Sequence, residues 1–449
     1  MAATYSEFLR GLYEEHLEEA SFLYDQRRRL LTDAELSWTQ LADFEDRLEA
    51  HLDALVVGGD AAADACRRRT TEGDPGELFA AVSAFCRRRQ APLLAAVLKT
   101  LDYEDRERTT ALTDALKYEL PDEWEEFCVG ALATANPALV AVLATTLAYR
   151  RLPVSDALLR ALQSAHPDAA AALLWGVGRT ARPATASMVG SFLRSDDRPT
   201  AAAAAYAALR LQSADVLGEL LAAPADGPRA RALAVAGGRR AVPILLAELD
   251  RPGSHSEAIL ALGLLGDLAA VRPLVNLLSD ESAAGAAAEA LYVITGAPLF
   301  EEVIVPDEIG EEELFPGELE EFRRRGELPR RPDGQPFGTV VRRLSRNASA
   351  WAAWLTANAS RFIADRRYRS GALYSPAVLL ECLKSTTFPK AYRAHVGEEL
   401  LIRYAVDIAF DVDLPVRAQY RLLRAAESAI DRANRAFDAG RWYFAGRPI

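Results

Sequence analysis

Proline recurs at a fixed spacing through the middle of this chain, at Pro153, Pro183, Pro243 and Pro273. The second and third are two periods of 30 apart, and the vacant slot falls at Ser213, which opens Ser213-Ala214-Asp215-Val216-Leu217. Self-similarity at such a period is the signature of a repeat architecture and constrains the fold more than any composition does. Proline is tolerated in a first helical turn, where its missing N–H has no intrahelical partner. The anchors therefore predict the start of the second helix in a series of helical pairs.

The first helix of each pair shows in columns counted back from the anchors. Twelve before stand Ala141, Ala171, Ala201, Arg231 and Ala261; nine before, Ala144, Leu174, Ala204, Ala234 and Leu264. Eight before are Thr145, Trp175, Ala205, Val235 and Leu265, and five before are Ala148, Gly178, Ala208, Gly238 and Leu268. Offsets of i, i+3, i+4 and i+7 trace one helix face. That face is apolar or small except at Thr145 and Arg231, which lets neighbouring helices approach closely. Three after each anchor stand Asp156, Ala186, Val216, Leu246 and Asn276, which share no chemistry, so a scheme of one ligand unit per repeat is not expected.

Outside the regular repeats, helices are predicted over 78–85, 92–101, 112–120 and 124–133, and two longer amphipathic ones over 8–31 and 36–57. The long pair is expected to cap the array, because an end repeat must cover one exposed apolar face. Beyond Thr295 the period fails. Ten acidic and no basic residues lie between Glu301 and Glu321. The stretch 298–340 reads as a long irregular insertion with short strands near Val303, Ile304 and Val305. Helices return over 348–364, 376–384, 391–406 and 416–439. The predicted organisation is thus a helical cap at 1–60, repeats at 61–297, the acidic insertion at 298–340 and a helical region at 341–449. The fold class is an all-α solenoid.

The formal charge of the 449 residues is −12, which opposes nucleic acid and anionic membrane as partners. No apolar run approaches the ~20 residues of a membrane span. Four scattered cysteines and the absence of a basic, then apolar, leader in the first 15 residues give the expectation of a reduced, cytoplasmic protein.

The repeat containing Leu262-Gly263-Leu264-Leu265-Gly266-Asp267 and Pro273 resembles a bacterial HEAT-like repeat of the phycocyanobilin-lyase type. The flanks are more specific: His16-Leu17-Glu18-Glu19-Ala20, Arg47-Leu48-Glu49-Ala50-His51, Gly76-Glu77-Leu78-Phe79, Arg367-Tyr368-Arg369-Ser370-Gly371, Glu398-Glu399-Leu400 and Pro415-Val416-Arg417-Ala418-Gln419. They resemble an uncharacterised proteobacterial HEAT-like family often encoded in type VI secretion gene clusters. The resemblance implies a HEAT-like solenoid and a setting in type VI secretion, and it brings no established activity with it.

Catalytic patterns are scarce. The five histidines form no His-Glu-x-x-His and no His-Glu pair, so neither a zinc hydrolase nor a di-iron site of the HEAT-like hydroxylases is supported, and no metal or cofactor is expected. His16 and His51 read as helix-surface packing. Gly176-Val177-Gly178-Arg179-Thr180-Ala181 imitates a dinucleotide fingerprint but closes a helix instead of following a strand. Arginine triplets at 27–29, 67–69, 87–89 and 323–325 would bind a phosphate backbone only if they converged. Each closes a helix or borders acidic residues, where cations meet the negative end of the helix dipole.

The leading expectation is a non-catalytic protein-binding scaffold or adaptor. Its partner contacts are placed at Glu311, Glu312, Glu313, Phe315 and Phe322 in the insertion, and at Trp442, Tyr443 and Phe444, three consecutive aromatics suited to a partner or to a homo-oligomer contact. The insertion is expected to dock onto a basic partner or to occupy the array's own groove. Trp351, Trp354, Leu355 and Phe362 read as an anchor tying the C-terminal helices to the last repeat. The alternatives are a toxin-neutralising immunity protein and an enzyme acting on a bound protein through Asp407, Asp411 or Asp413. Nucleic-acid binding ranks below both.

Overall fold

The computed structural model describes residues 2–33, 36–133, 135–222, 227–251, 255–306, 310, 314–331 and 334–449. Among these the fold is largely helical, and six strands form three separate two-stranded antiparallel ribbons.

The two N-terminal helices are Ala2–Thr32 and Ala42–Val57, the latter entered through a 3-10 turn at Trp38–Leu41 that Ser37 and Gln40 close as a reciprocal cap. His16 and His51 bridge them, with Nδ1 atoms 3.0 Å apart, so one ring nitrogen donates to the other. Eight helices then lie in a row, each packed on the next: Pro75–Arg87, Arg106–Glu119, Pro137–Tyr149, Pro167–Thr180, Arg198–Arg210, Pro228–Ala236, His255–Leu265 and Ala284–Thr295. Shorter helices alternate with them. Ser155–Gln163, Ala214–Ala222, Ala241–Glu248 and Val271–Asn276 each pack on the following row helix.

The proline anchors fall where the second helices begin. Pro183 opens a 3-10 turn, Pro243 and Pro273 sit in first turns, Pro153 stands just before Ser155, and the vacant slot Ser213 immediately precedes Ala214–Ala222. A second periodic signal starts the row helices. The side chains of Asp74, Asp105, Asn136, His166 and Asp197 each accept a hydrogen bond from a first-turn N–H. Such caps contribute on the order of 1 kcal/mol each.

Burial follows the expected face only in part. The column nine before each anchor, from Ala144 to Leu264, is fully buried, whereas Ala141, Ala171, Ala201 and Arg231 are half-exposed. The arc turns instead to include Leu143, Leu147, Leu173, Val177, Ala207 and Leu233. A row helix is covered by neighbours on both sides and by the alternating layer, so its buried arc is wider than one stripe. Gly176 and Gly178 lie inside the last turns of Pro167–Thr180, not in a turn between helices. A Cβ on Gly178 would stand 2.7 Å from the Ala207 Cα.

The acidic insertion is less irregular than expected. Strand Phe300–Pro306 runs antiparallel to Gly338–Leu344, with Phe300 opposite Leu344 and Pro306 opposite Gly338, and helix Pro316–Arg325 lies between them in the chain. The β-branched residues around Val303 favour strand, and Glu301 and Glu302 face Arg343 and Arg342 across the ribbon. The ribbon's second strand packs on Ala284–Thr295, so this arm springs from the end of the row.

The C-terminal region contains helices Ala348–Ala357, Pro376–Lys384, Lys390–Arg393, Val396–Tyr404 and Val416–Ala436 and two small hairpins. The single helix expected over 391–406 is interrupted at Ala394 and His395. Trp351 is fully buried and donates to the Ser345 carbonyl at 2.7 Å, while its helix packs on Val271–Asn276.

One expectation is overturned. Trp442, Tyr443 and Phe444 all point inward, exposed by only 7%, 6% and 4%. Ala445 and Gly446, both at positive φ, reverse the chain so that the last hairpin folds onto Val396–Tyr404. Tyr443 then packs against Tyr404 and Phe437, and Trp442 against Arg367 and Arg403. A two-residue strand buries neighbours on opposite faces when both faces are covered, so these rings are not a partner surface.

Gly178→Leu is expected to destabilise the chain by about 1–3 kcal/mol through overpacking against Ala207. Urea denaturation of the purified variant, with Gly178→Ala as an intermediate case, checks this.

Candidate functional site

Stacking helices in a row gathers their C-terminal ends along one edge, where last-turn carbonyls lack intrahelical donors. Arginine meets this need at successive ends. Arg179 Nε donates to the Ala148 carbonyl of the preceding row helix at 3.4 Å, and Arg210 Nε donates to the Gly178 carbonyl at 2.9 Å. The cation also complements the negative end of the helix dipole.

The other edge of each guanidinium holds the C-terminal region. Arg179 forms a fork on Asp411 at 2.9 and 2.5 Å, and Arg210 Nη1 reaches both oxygens of Glu398 at 2.5 and 2.6 Å. Arg151 binds both oxygens of Asp407, the nearer at 2.8 Å. Asp413 receives Lys117 Nζ at 2.7 Å and the Tyr149 hydroxyl at 3.0 Å, while its backbone carbonyl receives Arg27 at 2.6 Å and Tyr118 at 3.0 Å. Burial alone would push the Asp413 carboxyl up, but Lys117 and the Tyr149 hydroxyl overrule it and hold it below its ordinary value. Glu398 is likewise held low, by Arg210 against burial.

Farther along the row the donors come from the C-terminal region itself. Arg403 donates to the carbonyls of Ala234 at 2.8 Å and Gly237 at 3.1 Å. Arg367 reaches Leu265 at 2.6 Å and Leu264 at 2.8 Å, and Arg369 reaches Leu264 at 2.9 Å. The Ser370 and Gly371 N–H groups close the last helix at Val293 and Ile294. Glu399 Oε1, fully buried, accepts from Arg367, Arg369 and the Tyr374 hydroxyl. The chain therefore returns along the whole edge, from the row's last helix to the cap, where the Val416 N–H donates to Glu45 at 2.6 Å. Residues 405–415 form a strap without regular structure, and Ala405 and Ala409 in it adopt left-handed backbone.

This arrangement settles where several candidate residues lie. The acidic segment that lies along the array is the strap, with Asp407, Asp411 and Asp413. The three carboxylates considered for catalysis are held in ion pairs that fasten it. Glu311, Glu312 and Glu313 lie outside the described residues, Phe315 is 75% exposed, and Phe322 is half-buried. The arginine triplets are dispersed among carboxylates: Arg27 with Glu45, Arg28 with Glu107, Arg68 with Glu14, Arg69 with Glu18 and Glu77, Arg87 with Glu49, Asp53 and Glu119, and Arg325 with Glu321. Among the described residues no three His, Cys, Asp or Glu side chains gather as a metal site.

A periodic signal for the edge was present in the sequence. Three or four residues before the first four anchor positions stands an arginine: Arg150, Arg179, Arg210, and Arg239 with Arg240; before Pro273 the same places hold Ala269 and Ala270. Its acidic counterpart has no period, because the strap crosses the row instead of repeating with it. Two clefts flank the strap near the cap. One, of about 860 Å³, is lined by Arg28, Arg29, Trp38, Lys390, Arg393 and Val412 among others. The second, of about 720 Å³, includes Arg87, Tyr149, Pro415 and Arg421.

Compared with known proteins, the chain matches no family and no curated protein.

Two outcomes test the strap. Asp411→Ala strands a buried guanidinium and is expected to cost about 2–4 kcal/mol, with faster amide exchange across 405–415, whereas Arg179→Met combined with Asp411→Leu restores much of the loss. Because Asp413 is held low in the folded chain, its contribution is complete above the ordinary aspartate value and lost as pH falls below it toward the folded value. Asp413→Asn is therefore expected to flatten the acid limb of a melting-temperature profile below about pH 4.

Proposed function

We propose that this chain is a HEAT-like repeat scaffold that binds a protein partner, and that the arm over 300–344 carries the contact. The observation that supports the reading is the arm's exposed apolar surface. Val305, Phe315, Phe337 and Val340 are exposed by 44%, 75%, 42% and 56%, within an element that packs on the row through its second strand. Covering such side chains contributes about 1.5–3 kcal/mol each. The carboxylates around them, among them Glu302, Glu318 and Glu320, favour a basic partner surface and hasten its encounter.

The helix-end edge is not open to that partner, since the strap occupies it. The resemblance of both termini to a family encoded beside type VI secretion systems supports a component or effector of such a system as the partner, with the chain acting as adaptor in the bacterial cytoplasm.

The register of the ribbon provides the test. Because Pro306 pairs with Gly338, replacing 307–337 by Asn-Gly closes the arm as a tight hairpin. The shortened chain is expected to keep its melting temperature within about 2 °C, as surface truncations do. It is also expected to lose the stoichiometric protein that the full chain retains on affinity capture from its native cells. Equal retention by both forms rules out the arm; no stoichiometric protein with the full chain rules out the scaffold.

A further inference from the structure

The 860 Å³ cleft lies where the end of the first helix, the Trp38 turn, the helix Arg106–Glu119 and the segment 390–394 meet the strap. Its charges are unevenly satisfied. Of the four carboxylates on its wall, Glu107 is paired with Arg28, Asp413 with Lys117, and Asp114 with Lys117 and the Tyr24 hydroxyl. The fourth, Asp25, is driven toward its neutral form by burial and by Asp74, against the pull of Arg28 and Arg29.

The cations differ. Arg393 is only 2% exposed, with its guanidinium against the Trp38 ring at 4.3 Å and Phe410 at 5.3 Å. Its acceptors are uncharged: the Leu383 carbonyl at 2.9 Å and Gln419 Oε1 at 2.8 Å. Among the described residues Nη1 has no protein acceptor, although the side chain lines the cleft. Lys390 donates to the Leu30 carbonyl at 2.8 Å, and its desolvation, aided by Arg393, outweighs the favourable charge of Asp33. Arg29 also lines the wall, exposed, with Asp25 as its electrostatic neighbour. A buried guanidinium without an anion carries a desolvation penalty of several kcal/mol. Burial drives the Arg393 guanidinium down to about 9. Arg403 is driven down to a similar degree, but its donors meet the Ala234, Gly237 and Tyr443 carbonyls in the core.

We propose that this cleft is a binding site for a small organic oxyanion, with Arg393, Lys390 and Arg29 as the cationic wall and Leu31, Leu41 and Val412 against the ligand's apolar body. The volume suits a metabolite rather than a bare ion. The proposal is independent of the arm and of the scaffold function. A bound anion would join the first helix to the strap and so tighten the closure between the two ends of the chain.

Isothermal titration calorimetry of the full chain with pyrophosphate and, separately, with citrate at constant ionic strength tests it. Saturable one-site binding of at least one probe is expected, weakened about fivefold or more by Lys390→Ala and by Arg29→Ala as charge-assisted contacts are lost. Preference for pyrophosphate assigns a phosphoryl ligand, and preference for citrate a carboxylate one. Arg29 is exposed, so its variant folds even if the more buried positions do not tolerate change. Absence of saturable heat with both probes, or binding unaltered in the Arg29 variant, overturns the proposal.

Discussion

Everything in this molecule turns on the carbonyl groups left over at the ends of stacked helices. A row of eight helices leaves its last-turn carbonyls along one edge, and burying them unpaired is costly. Arginine resolves the problem because its planar fork presents donors on two edges. At Arg179 and Arg210 one edge closes the previous helix and the other binds a carboxylate of the returning chain. The same contacts that finish the helices therefore fasten the strap, so secondary structure and closure of the fold are one set of interactions.

The closure has a cost. Asp411, Asp413 and Glu398 leave water to meet their cations, and a buried pair returns that desolvation penalty only when geometry is good and further hydrogen bonds satisfy the remaining lone pairs. Those conditions hold here: a bidentate fork of Arg179 on Asp411, both Glu398 oxygens on Arg210, a tyrosine hydroxyl on Asp413, and backbone carbonyls on the other guanidinium edges. Two alanines in left-handed backbone, each costing about 1 kcal/mol or more, mark the strap as held in place by its contacts rather than by its own preferences.

Both proposed binding functions rest on what this closure leaves exposed. The helix-end edge is used internally, and the arm at the far end of the row and the cleft at the near end are the surfaces on which they stand. The arm carries apolar side chains in an acidic setting, as a protein contact requires. The cleft carries the buried Arg393 guanidinium, whose protein acceptors are uncharged.

The row itself could be read from the chain. Prolines, small-residue columns and the Asp, Asn and His caps at 30- to 31-residue intervals are local signals, each decided by residues within one or two turns. The arm's first strand was legible from the β-branched run at Val303; its partner Gly338–Leu344, which crosses the expected boundary at 340, was not. The destination of the last hundred residues was not. Arg179 and Asp411 are 232 positions apart, and Arg27 and Asp413 are 386 apart. No local pattern specifies which of many arginines meets which of many carboxylates. The three aromatics at 442–444 appeared exposed for the same reason: whether a short tail is covered depends on where Val396–Tyr404 lies against the row. Periodicity alone determined the helices and their stacking, because helix formation and nearest-neighbour packing are short-range; the tertiary structure alone decided the strap, the buried tail and the cleft, because those depend on charges and surfaces brought together only after the chain has returned on itself.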